Sequence, residues 1–135
     1  IQNTPAYATG IGDELTPIDL SLKDKFIVLV KPDVFVSTKE AYAHIHPHAA
    51  NIPLIKAIAQ PMEQWRNTVV NDFEESVFPL HPELPAIKQT LYDMGAIYAA
   101  MSGSGSTIFG IFDRPVPEAK SVFSKDFVFS QRLIR

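Results

Sequence analysis

The sequence has no cysteine. That excludes disulfides, thiolate nucleophiles and cysteine metal ligands. Positive charge is in short supply: 12 Lys and Arg stand against 15 Asp and Glu, for a formal net charge of -3. A nucleic-acid binder needs a basic face for the phosphate backbone, so nucleic acid is not expected as a partner. Long apolar runs are missing too. None approaches the ~18–20 residues of a membrane-spanning helix, and no signal peptide is visible. We therefore expect a cytoplasmic protein without a membrane partner. Glycine is scarce, with 6 in 135 residues. Two of these, Gly103 and Gly105, sit in one short stretch with Ser102, Ser104 and Ser106.

What is present is enough for one domain. With 46% hydrophobic and 20% charged residues, the chain can bury a real core and is not compositionally disordered. The Gly/Ser stretch is flanked by two apolar runs, Gly95-Ala96-Ile97-Tyr98-Ala99-Ala100 before it and Ile108-Phe109-Gly110-Ile111-Phe112 after it. The pattern predicts two strands joined by a tight turn. Glycines at positive φ let successive backbone N–H groups converge on one point, which is how a loop binds an anion such as a phosphate. The same spacing suits a turn that needs small residues for packing. It matches neither the P-loop nor the dinucleotide fingerprint.

Taken in order, the chain opens at Ile1 with a turn signal at Asn3-Thr4-Pro5. An opening without Met predicts a processed product or an excised domain. Ala6–Gly12 reads as a strand with a bend, followed by a turn and a short extended piece to Ile18. Phe26-Ile27-Val28-Leu29-Val30 is the clearest strand, apolar on both faces and so central, covered on at least one side by helices. Ser37-Thr38-Lys39-Glu40 has the form of a capping box and predicts a helix running toward Pro47. Pro53–Gln60 is a second short helix. Met62–Pro79 is helical in pattern, with Trp65, Val69, Phe73 and Val77 near one face and a possible bend or new cap at Asn71-Asp72. Pro82–Met94 is a helix with Ile87, Leu91 and Met94 inward, closed by Gly95. Pro117–Ser124 is a last helix, Phe127–Phe129 a last strand, and residues 130–135 a polar, basic tail. Helices that come in blocks favour an α+β fold, an antiparallel sheet covered by helices on one face. A ferredoxin-like βαββαβ order fits the count.

Several constellations bear on chemistry. His44, His46 and His48 alternate and could hold a metal on a strand, but Pro47 interrupts them and exposed histidines fit better. Asp72, Glu74 and Glu75 could do acid–base work. On a helix, Glu74 and Glu75 diverge by about a hundred degrees, so a cap at Asn71 or Asp72 and a solvated face are expected. Asp33, after the central strand, could be a catalytic acid at a strand end, and Pro32-Asp33 is equally a turn pair. His81 reads as a turn residue. No histidine lies near the loop serines in sequence, which makes them hydroxyl donors rather than nucleophiles. Tyr7, Tyr42 and Trp65 could stack on a base, with packing the alternative for each and favoured for Trp65. No complete catalytic set emerges.

The motifs go further than the spacing. Met101-Ser102-Gly103-Ser104-Gly105-Ser106-Thr107-Ile108-Phe109-Gly110 resembles the third conserved motif of the GHMP kinases. Ala6–Pro17, Val36–Tyr42 and Val70–Glu74 resemble, in the same order, those members that act on a cytidine-diphosphate substrate in the non-mevalonate route to isoprenoid precursors. The resemblance covers essentially the whole chain. It implies a ferredoxin-like GHMP kinase C-terminal domain over residues 1–135. It also implies transfer of the ATP γ-phosphoryl to the substrate 2-hydroxyl. The Gly-rich ATP loop, the catalytic lysine and aspartate, and most of the hold on ATP and Mg would belong to an N-terminal domain. On that reading no catalytic residue is here and the fragment alone is inactive. Ser102, Gly103, Ser104, Gly105 and Ser106 would face phosphates and brace the ATP loop. Tyr42 would stack on cytosine, with Thr38 beside the substrate. Asn71, Asp72 and Glu74 match a pattern read as structural, and Lys39 is given no role. The alternative is a free-standing ferredoxin-like ligand-binding or regulatory module.

Overall fold

A computed structural model describes residues 4–134. The turn read at Asn3–Pro5 begins outside those residues, and Arg135 lies outside them. An antiparallel hairpin, β1 (Ala6–Thr9) with β2 (Glu14–Pro17), comes first. The short extended piece expected before Ile18 is thus β2, folded back on the strand before it. The main sheet has four antiparallel strands: β3 (Phe26–Lys31), β4 (Tyr98–Met101), β5 (Ile108–Phe112) and β6 (Phe127–Arg132). Their spatial order is β4-β5-β3-β6. With the intervening helices this is the ferredoxin-like arrangement the element order predicts. The β4–β5 pair flanks the Gly/Ser loop, in register from Tyr98 opposite Ile111 to Met101 opposite Ile108.

Strand alternation sets the two faces. Val28 and Val30, Ala99 and Met101, and Ile108 and Phe112 point to a core they share with Leu84, Ile87 and Leu91. Those last three lie on one stripe of α5 (Glu83–Asp93), the longest helix. Gly95, at φ +98°, ends that helix as expected. The core also takes in Ala41 of α1 (Thr38–Ala43), Val77 of α4 (Phe73–Val77) and Ala119 of α6 (Ala119–Val122).

The opposite face is not bare. Trp65, at the start of α3 (Trp65–Thr68), packs with Tyr98 and Ala100, against which Phe109 and Ile58 also lie. Ile58 ends α2 (Leu54–Ile58). The Trp65 and Tyr98 rings meet edge to face at 5.6 Å, and the Trp65 Nε1–H donates to Gln60 O at 3.0 Å. Core packing is therefore the role of Trp65. Tyr98 donates its hydroxyl to Val69 O at 2.8 Å. Burial first, then the charges of Glu74 and Tyr92, raise its pKa well above the ordinary value, so it stays a donor.

The stretch from Met62 to Pro79 is not one helix. A 3₁₀ turn (Met62–Gln64) runs into α3, the chain extends at Val69, and α4 restarts at Phe73. The break lets Trp65 reach one face of the sheet and Val77 the other. Strand β6 likewise continues through Arg132, well past the expected end at Phe129.

Gly110 sits in β5 where a side chain would have no room. A Cβ there would lie 2.9 Å from Phe112 Cε2 and 3.4 Å from Leu91 Cδ2. Phe112 is fully buried and cannot swing aside. Gly110→Ala is expected to cost about 1–3 kcal/mol of stability through overpacking. Urea unfolding checks this, and an unchanged midpoint would contradict it.

Candidate functional site

Residues from three segments meet at the β4–β5 connection. The first is the loop itself. Gly103 and Gly105 take φ +55° and +89°, values that side-chain-bearing residues rarely adopt. The Gly105–Ser106 peptide is cis. Ser102 N–H donates to Thr107 O at 2.8 Å and Gly105 N–H to Ser102 O at 3.0 Å. The backbone N–H groups of Gly103 and Ser104, at the apex, have no partner among the described residues. Ser102 and Gly103 are exposed, and Ser104 and Gly105 half-buried. Ser106 differs: it is buried, and its hydroxyl donates to Val34 O at 2.6 Å. Of the three loop serines, Ser106 has its hydroxyl bound inward.

The second segment leads from β3 into α1. Val34 takes the Ser106 bond, and Val36 packs toward Gly105. Ser37 then caps α1, its Oγ accepting from Glu40 N at 3.0 Å. Only this half of the capping box forms. Glu40 turns instead to His81, with Oε1 and Nε2 3.0 Å apart, which gives His81 a partner that a turn residue would lack. The helix ends at Ala43, short of the expected Pro47. Thr38 is exposed on its first turn and Ala41 is fully buried beneath it. Tyr42 is 61% exposed. Among the described residues its one aromatic contact is Phe73, edge to face at 5.0 Å.

The third segment runs from Asn71 into α4. The Asn71 Nδ2 donates to Met101 O and to Gly103 O, both at 2.8 Å. Its Oδ1 accepts from Phe73 N at 3.0 Å, so Asn71 does cap α4 locally. Glu74 is not on a solvated face as expected. Its Oε1 accepts from Met101 N at 2.8 Å and its Oε2 from Lys88 Nζ at 2.5 Å. The outward N–H and C=O of Met101, at the end of an edge strand, are therefore satisfied by side chains instead of another strand. Tyr92 does the same for Ala99 O at 3.2 Å. A carboxylate and an amide placed three apart, ahead of a buried strand end, carry no local sequence signal of this role.

The segment 34–37 thus links the Gly/Ser loop to the start of α1, where Thr38 lies, and Asn71 and Phe73 link the loop to Tyr42. His44, His46 and His48 are exposed, and no group of three His, Asp or Glu suited to a metal forms among the described residues. Asp33 lies in an exposed bend. No helix among the described residues is long and apolar enough to cross a membrane.

A sequence profile described as "GHMP kinases C terminal" matches residues 51–128. The chain belongs to the GHMP kinase C-terminal family. This GHMP kinase domain is 52% identical over 134 residues to a 4-diphosphocytidyl-2-C-methyl-D-erythritol kinase of Parabacteroides distasonis, covering 98% of the chain and 49% of that protein. It is 50% identical over 133 residues to the kinase of the same name from Bacteroides fragilis, covering 98% and 48%. The chain spans about half the length of the curated relatives it matches. A crystal structure of a 4-(cytidine 5'-diphospho)-2C-methyl-D-erythritol kinase superposes with a TM-score of 0.72 at 26% identity, over 93% of this chain and 48% of that one. The ferredoxin-like α+β reading of the GHMP kinase domain agrees with this match.

Proposed function

We propose that residues 1–135 are the C-terminal, substrate-binding half of a cytoplasmic kinase of isoprenoid precursor synthesis. The full-length enzyme would transfer the γ-phosphoryl of ATP to the 2-hydroxyl of 4-diphosphocytidyl-2-C-methyl-D-erythritol. An N-terminal domain would hold most of ATP and Mg and supply the catalytic groups. The relatives' names and greater length support this. The observation that carries the reading is an exposed Tyr42 ring together with apex N–H groups at Gly103 and Ser104 that have no partner among the described residues. Phosphoryl transfer calls for positioning and charge stabilisation more than covalent chemistry. Fixed N–H donors supply the stabilisation without reorganisation. In this arrangement Tyr42 stacks on cytosine, Thr38 lies beside the substrate, and Ser102–Ser106 form the phosphate wall that braces the ATP loop. The bound Ser106 hydroxyl holds that wall in shape rather than touching phosphate.

Tyr42→Ala in the full-length enzyme is expected to raise KM for the cytidine substrate about 5- to 150-fold, equivalent to one lost stacking contact of ~1–3 kcal/mol. KM for ATP is expected to hold within about twofold, and Tyr42→Phe to behave as wild type. Steady-state kinetics with each substrate varied in turn read both. Equal rises in the two KM values would remove Tyr42 from the cytosine site. The 135-residue chain by itself should transfer no phosphoryl group.

A further inference from the structure

The Asn71 side chain makes three hydrogen bonds that link parts of this region. Its two Nδ2 protons go to Met101 O and Gly103 O, and its Oδ1 holds Phe73 N. The Phe73 ring in turn meets Tyr42 at 5.0 Å. Asn71 therefore reaches across 32 positions to the loop apex and within two to the aromatic pair.

The bond to Gly103 O has a directional consequence. Gly103 C=O and Ser104 N–H belong to one planar peptide unit, and in a trans peptide the two point opposite ways. Anchoring the carbonyl on Asn71 aims the Ser104 N–H away from it. That N–H is one of the two at the apex without a partner among the described residues. Backbone at a glycine with φ +55° has few steric restraints of its own, so the direction of this donor depends on what holds the carbonyl.

We propose that Asn71 is a positioning residue, resting on the reading of the site above: it sets the direction of the Ser104 N–H toward the phosphate groups and ties the loop apex to the Tyr42–Phe73 aromatic pair. Aspartate in its place has the same shape but presents oxygen to two carbonyl oxygens, so the peptide turns and the donor is lost.

The test compares wild type, Asn71→Asp and Val77→Ala in the full-length enzyme. Val77 is fully buried in the core at the end of α4, and its side chain has no hydrogen-bonding group, so its truncation loosens α4 without removing any bond that Asn71 makes. Its truncation serves as a purely destabilising control. With folding verified by circular dichroism, Asn71→Asp is expected to lower kcat at least tenfold and leave KM for the cytidine substrate within about threefold. Val77→Ala is expected to lower Tm yet keep kcat within twofold. If Asn71→Asp does not fold, Asn71→Ser is read instead: its shorter hydroxyl can accept from Phe73 N but does not reach the two carbonyls, so a fall in kcat of at least tenfold is again expected. An active wild type with unchanged kcat in the Asn71 variant overturns the positioning role and leaves the site reading intact. Equal kcat losses in the Asn71 and Val77 variants also overturn it, by marking a structural role. A wild type inactive on the cytidine substrate overturns both.

Discussion

Phe112→Ala is expected to lower the unfolding free energy by about 3–5 kcal/mol. Phe112 is fully buried in β5, between the neighbouring strands β4 and β3. Its ring covers Gly110, the one strand position where the sheet has no side chain of its own to fill the space beside Leu91 and Ala96. Truncation removes the transfer energy of the ring and leaves a cavity that Gly110 cannot fill. Whole-domain stabilities run to about 5–15 kcal/mol, so this one change consumes a large part. Urea unfolding should show a lower midpoint with an unchanged slope. A loss below about 1 kcal/mol would mean that the helices on this face collapse onto the sheet and that the core is not closely packed around the ring.

Glu74→Ala is expected to cost about 3 kcal/mol, and for a different reason. The carboxylate has two partners, the Met101 N–H and the Lys88 ammonium. Its side chain keeps 13% of its exposure and that of Lys88 keeps 22%. Removing it strands a donor on a buried strand residue and, among the described residues, leaves the ammonium near the Phe78 ring, 5.8 Å away. Breaking a buried pair from one side costs ~3–5 kcal/mol. Residual access of Lys88 to water puts this case at the lower end. Glu74→Gln keeps an oxygen for Met101 N and is expected to lose about half as much. Thermal unfolding of the two variants separates the backbone bond from the ion pair. Equal losses would show that the bond to Met101 contributes nothing.

Much of the fold was legible because its signals are local. The unbroken Phe26–Val30 run, the apolar runs either side of the Gly/Ser stretch, and the Pro82-to-Gly95 punctuation of α5 each reflect backbone chemistry read within a few residues. The loop's role as a strand connection was legible for the same reason. Less visible was anything set by partners distant in sequence. The apolar stripe from Trp65 to Val77 has helical spacing, yet its residues serve opposite faces of the sheet, and the chain extends at Val69 to let them do so. Glu74 has the local sequence context of a solvated residue. What turns it inward is an unpaired strand end 27 positions away. Asn71 was legible as a cap, because that bond is two residues long, but not as the anchor of the loop apex. Ser106 has the same local context as the other loop serines, and the approach of Val34 from 72 positions away distinguishes it.

We propose above all that this domain presents a cytidine-linked alcohol for phosphorylation by ATP. The most direct measurement is phosphoryl transfer by the full-length protein, followed by phosphorus NMR. The expected result is a new phosphomonoester at the 2-hydroxyl of 4-diphosphocytidyl-2-C-methyl-D-erythritol. A kcat/KM at least a hundredfold lower is expected for the same polyol phosphate without its cytidine. Absence of transfer to the cytidine substrate, or equal kcat/KM with and without cytidine, would contradict the account.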